Sequence, residues 1–379
     1  MQFRDLKAQY DYLKNDIDRN IQDVINRGVF IGGDYVNELE KMLAEYVGVK
    51  HCISCANGTD ALQLALMAWN VGEGDAVFVP DFTFFSTGEV VSTVGATPVF
   101  VDVDAETYNI SCDALENMIN RIVEQGKLTP KVIIAVDLFG QPADYNRIYE
   151  IAKKYEMCVL EDGAQGFGGR IGKKMACSFG EISTTSFFPA KPLGCYGDGG
   201  AVFTDNDNWA DFIRSLKVHG KGKNKYDNIR IGMNSRLDSI QAAILTAKLP
   251  IFKNEELHKM QDVAEVYTEK LKNVVTTPSV REKYYSSWAQ YTVQFESPSQ
   301  REKVMRALTA NGIPSMVYYQ KPMHKQEAFK NLVFEDRDYS VTNQLCETVL
   351  SLPIHPYMKK KEVELVADTI INCLQKGTE

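Results

Sequence analysis

The sequence lacks the features of several large protein classes. Among its 379 residues, no stretch of about 18 apolar residues occurs, so we expect no membrane span. The N-terminal segment is charged from Arg4 onward and has no apolar signal core, so we expect a cytoplasmic protein. Histidine is scarce, with five residues, and the eight cysteines are scattered apart from the pair Cys52 and Cys55. Because no second pair lies at a matching spacing, we expect reduced thiols and no metal site.

Positive charge is also in short supply. Lys and Arg total 42 against 50 Asp and Glu, which gives a formal net charge of −8. This balance argues against nucleic acid as a partner, because polyanion binding relies on excess positive charge. A small phosphorylated ligand remains possible, since the backbone N–H groups of a helix N-terminus can hold a phosphate.

The order of apolar segments predicts an α/β fold. Seven short apolar runs, rich in Val, Ile and Phe, alternate with helical patterns between residues 50 and 205. This alternation is typical of a largely parallel sheet flanked by helices, with ligands bound beyond the carboxyl ends of the strands. After residue 275 the pattern changes to α+β, with strands expected near 288–296 and 314–319. We therefore predict a large domain over 1–250, including a helical N-terminal segment, and a smaller C-terminal α+β domain over 251–379.

The segment ANGTDALQLAL (56–66) places Asn-Gly-Thr between a strand and an amphipathic helix. Gly58 would let a ligand approach the backbone at a helix N-terminus, and Thr59 could add a hydroxyl group. The alternative is an ordinary helix cap, with Asn57 or Thr59 as the capping side chain. Similarly, Phe84 in PDFTFFST (80–87) could stack on a flat ring or simply belong to the core.

Two further segments carry groups that are costly to bury. Asp162 ends an apolar run in VLEDGAQGFGG (159–169), where a buried carboxylate needs a cation, a metal or a protonated ring nitrogen, unless solvent reaches it. Lys191 lies among aromatic, Pro and Gly residues in SFFPAKPLGCYGDGG (186–200), either as an imine-forming amine or as a surface lysine. Lys191 follows Asp162 by 29 residues and Ser186 by five. A pyridoxal phosphate site needs such a lysine, such an aspartate and a phosphate cup at a helix start, so the combination predicts one.

These segments, together with GMNSRLDSIQAAIL (232–245), resemble the DegT-type nucleotide-sugar aminotransferases, a family of fold type I pyridoxal phosphate enzymes. Within this family, the segments CANGTDAL and KPLGCYGDGG are most similar to those of members that aminate C3 of a 3-keto nucleotide sugar. The resemblance implies transfer of an amino group from L-glutamate to the sugar. It also implies a homodimer with shared active sites, because the residue matching Asn234 reaches the cofactor phosphate of the neighbouring subunit.

The resemblance also implies roles for individual residues. Lys191 would hold the cofactor and relay a proton, and Asp162 would pair with the pyridinium nitrogen. Further cofactor contacts are implied for Gly58, Thr59, Phe84, Gln165, Ser186 and Asn234. Substrate contacts are implied for His219, Arg236, Tyr319 and His324.

Three alternatives differ from this prediction. A dinucleotide-dependent oxidoreductase would suit the strands and the acidic charge, but no G-x-G-x-x-G lies between a first strand and helix. A non-catalytic regulator could share the fold, although Lys191 and Asp162 together disfavour it. Within the same chemistry, a C4-aminating or dTDP-sugar enzyme is the main rival. The basic loop 219–230 either reaches a substrate diphosphate or carboxylate, or is a solvated surface loop.

Overall fold

The computed structural model describes residues 1–224, 226–332 and 335–375. The α-helices of this part are α1 Leu6–Arg27, α2 Asp34–Val47, α3 Gly58–Ala68, α4 Ser86–Thr93, α5 Cys112–Gln125, α6 Tyr145–Lys154, α7 Asp207–Leu216, α8 Ser239–Ile251, α9 Leu257–Leu271, α10 Pro298–Ala310, α11 Ser340–Thr348 and α12 Lys360–Gln375. The strands are β1 His51–Cys55, β2 Asp75–Pro80, β3 Thr97–Val101, β4 Thr129–Val136, β5 Cys158–Asp162, β6 Arg170–Ile171, β7 Lys174–Met175, β8 Ile182–Ser186, β9 Gly200–Thr204, β10 Tyr284–Tyr285, β11 Tyr291–Gln294 and β12 Val349–Leu352. Within these ranges, no helix is both long enough and apolar enough to cross a bilayer.

A seven-stranded sheet in the order β1-β9-β8-β5-β4-β2-β3 forms the centre of the molecule. The strands from β8 to β3 are parallel, whereas β9 runs antiparallel to both of its neighbours. All seven apolar runs between 51 and 205 form strands of this sheet, which confirms the predicted mostly parallel α/β architecture. Smaller sheets are formed by β10-β6-β7 and by β11-β12.

Helices cover both faces of the central sheet because its strands are apolar on both sides. In β2, Val77 and Val79 face a core with α3, α4 and α7, whereas Ala76 and Phe78 face a core with α5 and α6. Such strands lack polar alternation because neither face meets water. The helices are bounded by local signals: the side chain of Asn57 caps α3 by accepting from the N–H of Asp60 at 2.7 Å.

The C-terminal region is built on a continuous helical rod. Pro250 lies inside α8, and a π-helical segment, Phe252–Glu256, connects α8 to α9. The helix therefore widens locally after Pro250 but does not end there. Leu257 packs with residues of α2, β9 and α8, whereas Met260 packs with residues of α10, α12, β11 and β12. The domain boundary at residue 250 stays a prediction.

One predicted strand of this region is wrong. Residues 314–319 form no strand, and only Met316 bridges to Ser351. Pro314, at the start of this segment, has no N–H to donate to a neighbouring strand. The partner of β11 is instead β12, a strand that the helical pattern near residue 349 concealed.

Candidate active site

The candidate site lies where three parallel strands end. Asp162 is the last residue of β5 and is paired in register with Val136 of β4, and Ser186 is the last residue of β8, the other neighbour of β5. Because these strands are parallel, their carboxyl ends meet at one edge of the sheet. Side chains far apart in sequence are thereby brought together.

Asp162 is a buried carboxylate, 6% exposed. Its Oδ2 accepts from Thr87 Oγ1 at 3.0 Å, and its Oδ1 accepts from the N–H of Ala164 at 3.2 Å. Burial raises the pKa of Asp162, while the Ala164 N–H, the charge of Lys191 and the Thr87 hydroxyl oppose the shift. Two hydrogen bonds leave further lone pairs of the carboxylate free to meet a cation.

Lys191 lies in the turn that follows β8, and its own N–H donates to the carbonyl oxygen of Phe188 at 2.8 Å. Burial lowers the pKa of Lys191, the Asp162 carboxylate raises it, and the Arg4 guanidinium lowers it further. The structure therefore brings the predicted lysine and aspartate within electrostatic reach of each other. A lysine amine whose charge is disfavoured is a better nucleophile toward a carbonyl carbon.

A cup of small and hydroxyl residues surrounds the N-terminus of α3. A Cβ atom on Gly58 would lie 2.7 Å from the Cβ of Ser186, so only glycine fits beside that serine. Thr59 Oγ1 lies 2.8 Å from Ser86 Oγ. The first N–H groups of a helix and nearby hydroxyl groups form a favourable environment for a phosphate. The structure thus unites the predicted Gly58, Thr59 and Ser186 and adds Ser86.

Gln165 is buried and joined to Tyr319, the side chain predicted to line the substrate pocket. Gln165 Nε2 donates to the Tyr319 hydroxyl at 3.0 Å, and Gln165 Oε1 accepts from the N–H of Phe139 at 2.8 Å. Burial raises the pKa of Tyr319, so its hydroxyl keeps its proton near neutrality. Gln165, three residues after Asp162, and Tyr319 are thus joined by a hydrogen bond.

Four other predicted residues are exposed in the single chain. Phe84 is 54% exposed on the segment between β2 and α4. His219, Asn234 and Arg236 are also exposed, and the backbone of Asn234 forms an isolated bridge with Val218. These four side chains are not joined to Lys191 or Asp162 by hydrogen bonds in the described chain, so their predicted roles stay predictions.

His324, for which the resemblance implies a substrate contact, is buried between two carboxylates and an aromatic ring. Its Nδ1 lies 2.6 Å from Asp81 Oδ2, its Nε2 lies 3.1 Å from Asp336 Oδ1, and its ring stacks on Tyr339 at 4.2 Å between centroids. Burial lowers the pKa of His324, but the bonds to both carboxylates outweigh it and raise the pKa. These contacts tie His324 to the end of β2, and its role toward substrate stays a prediction.

Sequence reasoning missed two residues of the site. Thr87 bonds Asp162, and Arg4 Nη2 donates to the carbonyl oxygens of Lys191 at 3.0 Å and Pro192 at 3.3 Å. Thr87 belongs to the segment PDFTFFST, where a polar residue after a buried strand was the available signal. Arg4 lies 187 positions before Lys191, and no local pattern links the two.

The arrangement defines a class of protein. A nucleophilic lysine, a buried aspartate and a phosphate cup at a helix start, on a mostly parallel sheet, constitute the site of a fold type I pyridoxal phosphate enzyme. The residues present fit this cofactor, because the cup excludes a Cβ atom at Gly58 and the buried Asp162 carboxylate needs a cationic partner.

Comparisons with known proteins identify the family. The sequence model of the DegT/DnrJ/EryC1/StrS aminotransferase family matches residues 11–371. A Pseudomonas aeruginosa protein named UDP-2-acetamido-2-deoxy-3-oxo-D-glucuronate aminotransferase is 45% identical over 98% of this chain and 100% of its own. A crystal structure of a family member from Brucella abortus superposes with a TM-score of 0.96 at 47% identity, covering 99% of both chains. The structure of ntda from Bacillus subtilis, described with bound cofactor pmp, has a TM-score of 0.85 at 27% identity, over 96% of this chain and 82% of that one.

The chain therefore belongs to the DegT/DnrJ/EryC1/StrS aminotransferase family. It is a pyridoxal phosphate-dependent sugar aminotransferase with the fold type I architecture. The family and the fold that the sequence motifs predict are both confirmed.

Proposed function

We propose that this enzyme transfers the amino group of L-glutamate to the C3 ketone of a UDP-linked 3-keto sugar, such as UDP-2-acetamido-2-deoxy-3-oxo-glucuronate. The observation that carries the proposal is the full-length similarity, at 45% identity, to a protein named for that substrate, combined with the Lys191 and Asp162 pair. We further propose that the product enters cell-surface polysaccharide such as O-antigen. The reaction is proposed to take place in the cytoplasm, in keeping with eight free cysteines.

The residues of the site would divide the work as follows. Pyridoxal phosphate, when bound, supplies an electron sink for the carbon that loses a proton. Asp162 would face the ring nitrogen and keep it protonated, because a buried carboxylate is stabilised by a nearby cation. Gln165 would hydrogen-bond the ring hydroxyl, and Phe84 would stack on the ring. Gly58, Thr59, Ser186 and the partner-supplied Asn234 would hold the phosphate.

Lys191 would have two duties in the reaction. It would hold the cofactor between turnovers, and its freed amine would carry the proton between the donor or sugar carbon and the cofactor. The lowered pKa of Lys191 supports this role, because burial disfavours the charged form and leaves the amine better able to accept a proton.

Recognition of the sugar is assigned to His219, Arg236, Tyr319 and His324. Arg236 is the natural partner for a uronate carboxylate or a diphosphate, since a guanidinium binds such groups with two hydrogen bonds. Tyr319 lies beside the cofactor residues through its bond to Gln165. We propose that the basic loop 219–230 contributes positive charge toward the substrate diphosphate or carboxylate.

The experiment is a panel of 3-keto and 4-keto nucleotide sugars, carried by UDP or dTDP, offered with L-glutamate and followed by mass spectrometry. We expect an amino-sugar product and 2-oxoglutarate with the UDP-linked 3-keto uronate. Preference for a 4-keto sugar or a dTDP-linked 3-keto-6-deoxy sugar would overturn the proposed specificity. The dTDP-linked alternative has support from a relative at 35% identity, named a dTDP-3-amino-3,6-dideoxy-alpha-D-galactopyranose transaminase.

A regulatory function is the second candidate. A Geobacillus stearothermophilus relative, 38% identical over 97% of this chain, is named a pleiotropic regulatory protein. A regulator would not need turnover, whereas our proposal requires both half-reactions. Binding of pyridoxal phosphate without conversion by L-glutamate, or by any keto sugar of the panel, would favour this candidate.

We also propose a homodimer in which each subunit completes its partner's site. The apolar segment 29–31 is exposed, with side chains between 45% and 49% accessible, and its backbone bonds Ser239. Ile231 is 89% exposed, and Asn234 and Arg236 are exposed on the same stretch of chain. Exposed apolar groups beside functional polar groups support a subunit interface here.

Mixing two inactive variants tests the shared site. If Asn234 serves the partner, a dimer of Lys191→Ala with Asn234→Ala contains one doubly damaged site and one intact site. Subunits exchanged at equal amounts should then regain about one quarter of wild-type turnover, because half the dimers are mixed and each has one working site. No recovery above the Asn234→Ala homodimer would refute the cross-subunit role.

A further inference from the structure

The turn that carries Lys191 accepts hydrogen bonds from two basic side chains, the half-buried Arg4 and the buried Lys248. Arg4, which precedes α1, donates from Nη2 to the carbonyl oxygens of Lys191 and Pro192. Lys248 of α8 donates from Nζ to the carbonyl oxygen of Gly194 at 2.7 Å. Three of the four carbonyl groups of residues 191–194 thus have charged donors that lie far away in sequence.

The turn needs these donors because it is too tight to pair with a strand. A Cβ atom on Gly194 would lie 2.4 Å from the carbonyl oxygen of Pro189, so the chain folds closely back on itself. Buried carbonyl groups without partners are costly. Donors on long, anchored side chains satisfy them and fix the backbone from which the Lys191 side chain extends.

Both Arg4 and Lys248 interact electrostatically with one buried carboxylate, that of Glu256, which is 3% exposed. Glu256 accepts from Gln9 Nε2 at 2.8 Å and from the Tyr357 hydroxyl at 2.6 Å. Burial lowers the pKa of Arg4 and of Lys248, and Glu256 opposes both shifts. The positive charges of Arg4 and of protonated Lys248 are therefore opposed near the Lys191 turn by a single carboxylate.

Arg4 has a further unusual feature. Its Nη1 is shielded from solvent and has no hydrogen-bond partner within the described ranges. Leaving a guanidinium N–H unpaired is unfavourable, so the position of Arg4 is dictated by its bonds to the turn. A residue that only anchored the N-terminal segment would gain more by turning toward water.

We propose that Arg4 and Lys248 are positioning residues for Lys191: together they hold its turn, and the charge of Arg4 helps to keep the Lys191 amine uncharged. The proposal rests on the assignment of Lys191 as the cofactor-binding lysine. The groups that act on the charge of Lys191 are Asp162, which favours it, and Arg4, which opposes it, beside burial itself. Arg4 also lowers the pKa of Lys248, whereas the charged groups that act on Lys191 are Asp162 and Arg4.

The test uses the absorbance of enzyme loaded with pyridoxal phosphate, titrated from neutral to alkaline pH without substrate. The midpoint is the pH at which half of the absorbance change has occurred. We expect Arg4→Met to raise this midpoint by on the order of 1 pH unit, the effect of one nearby charge that is partly screened. Arg4→Lys keeps the charge and should leave the midpoint near that of wild type. Arg19→Met, which removes an arginine from the exposed face of α1, is the matched control and should change nothing.

Turnover separates the hydrogen bonds from the charge. The rate at which L-glutamate converts the bound cofactor should fall about tenfold in Arg4→Lys and in Lys248→Met, because each change loosens the turn, while the midpoint stays. An unchanged midpoint in Arg4→Met would refute the electrostatic role. Wild-type rates in both Arg4→Lys and Lys248→Met would refute the positioning role.

These results are separable from a failure of the proposed function. If wild-type enzyme shows no absorbance band that depends on Lys191, the assignment of that lysine is wrong. If the band is present but no keto sugar is converted, the proposed function alone fails. If Arg4→Met does not fold, the rate and midpoint of Arg4→Lys still decide the positioning role.

Discussion

Two regions of this molecule handle charged groups in opposite ways. At the ends of β5 and β8, charged and polar side chains are buried, and partners from the same chain hold them in place: Thr87 bonds Asp162, and Arg4 bonds the turn of Lys191. Along residues 219–236, by contrast, His219, Asn234 and Arg236 are exposed. The first region is preorganised within one chain, whereas these three side chains of the second region are accessible to solvent.

The difference teaches where each kind of specificity resides. Cofactor chemistry needs fixed geometry and shifted pKa values, which burial supplies. Recognition of one sugar among many depends on a few added hydrogen bonds, which an open segment can vary without disturbing the catalytic groups. Changes in the buried region should therefore reduce the rate of chemistry, and changes at His219 and Arg236 of the exposed region should mainly weaken substrate binding.

The largest effect is expected from Lys191→Ala. If Lys191 holds the cofactor and moves the proton as proposed, removing its amine should reduce both half-reactions by about 10³-fold or more. Single-turnover absorbance changes with L-glutamate and with keto sugar measure the two halves. Lys173→Ala, at an exposed position, is the matched control. Retained turnover in both halves would contradict the assignment.

Asp162→Asn should have the second largest effect. The amide keeps the shape but loses the charge that stabilises a protonated ring nitrogen, so kcat should fall about 10²–10³-fold with little change in KM. Asp198→Asn, on the exposed end of the Lys191 loop, is the control and should behave as wild type. A rise in KM with an unchanged kcat would assign Asp162 to substrate binding instead.

Arg236→Met examines the exposed region. Loss of its guanidinium should raise the KM for the nucleotide sugar about tenfold while kcat changes much less, because a uniform binding contact is removed. The KM for L-glutamate should change less than that for the sugar. Arg306→Met, an exposed change on α10, serves as the control. An effect on kcat equal to that of Asp162→Asn would erase the distinction between the regions.

Gly58→Ala should weaken cofactor binding moderately. The added methyl group would press on Ser186 at the phosphate cup, so the apparent dissociation constant for pyridoxal phosphate should rise about tenfold. Gly72→Ala is the matched control, since its Cβ atom would lie 3.7 Å from the nearest atom. Absorbance titration of apoenzyme measures both. Equal affinities in the two variants would show that Gly58 does not border the phosphate.

The sequence was informative where function depends on local pattern. The seven strands, the cap of α3 and the order Asp162, Ser186, Lys191 follow from periodicity and from motifs a few residues long. The bond of Thr87 to Asp162, 75 positions away, depends on how the strands assemble. The same holds for Arg4 and for the carboxylates around His324. Tertiary proximity of this kind leaves no trace in local spacing.

The last prediction concerns stability instead of activity, and it tests the charge of Lys248, which bonds the turn of Lys191. Burial lowers the pKa of Lys248 from its ordinary 10.5 to about 7. Between these values the unfolded chain binds a proton at this position that the folded chain does not, so this group makes stability rise with pH across that window. Below about pH 7 both states hold the proton, and the cost of the buried charge is fully present. Lys248→Met should lack this rise.

The measurement is urea unfolding at several pH values, taken as the difference between wild type and Lys248→Met. Because the remaining titrating groups are shared, this difference should isolate Lys248, and wild type should gain on the variant as pH increases from neutral toward 10.5. Lys173→Met, at an exposed position, should show a constant difference. A constant difference for Lys248→Met as well would mean that Lys248 stays charged in the folded enzyme. The turn of Lys191 would then accept hydrogen bonds from two permanent cations, Arg4 and Lys248.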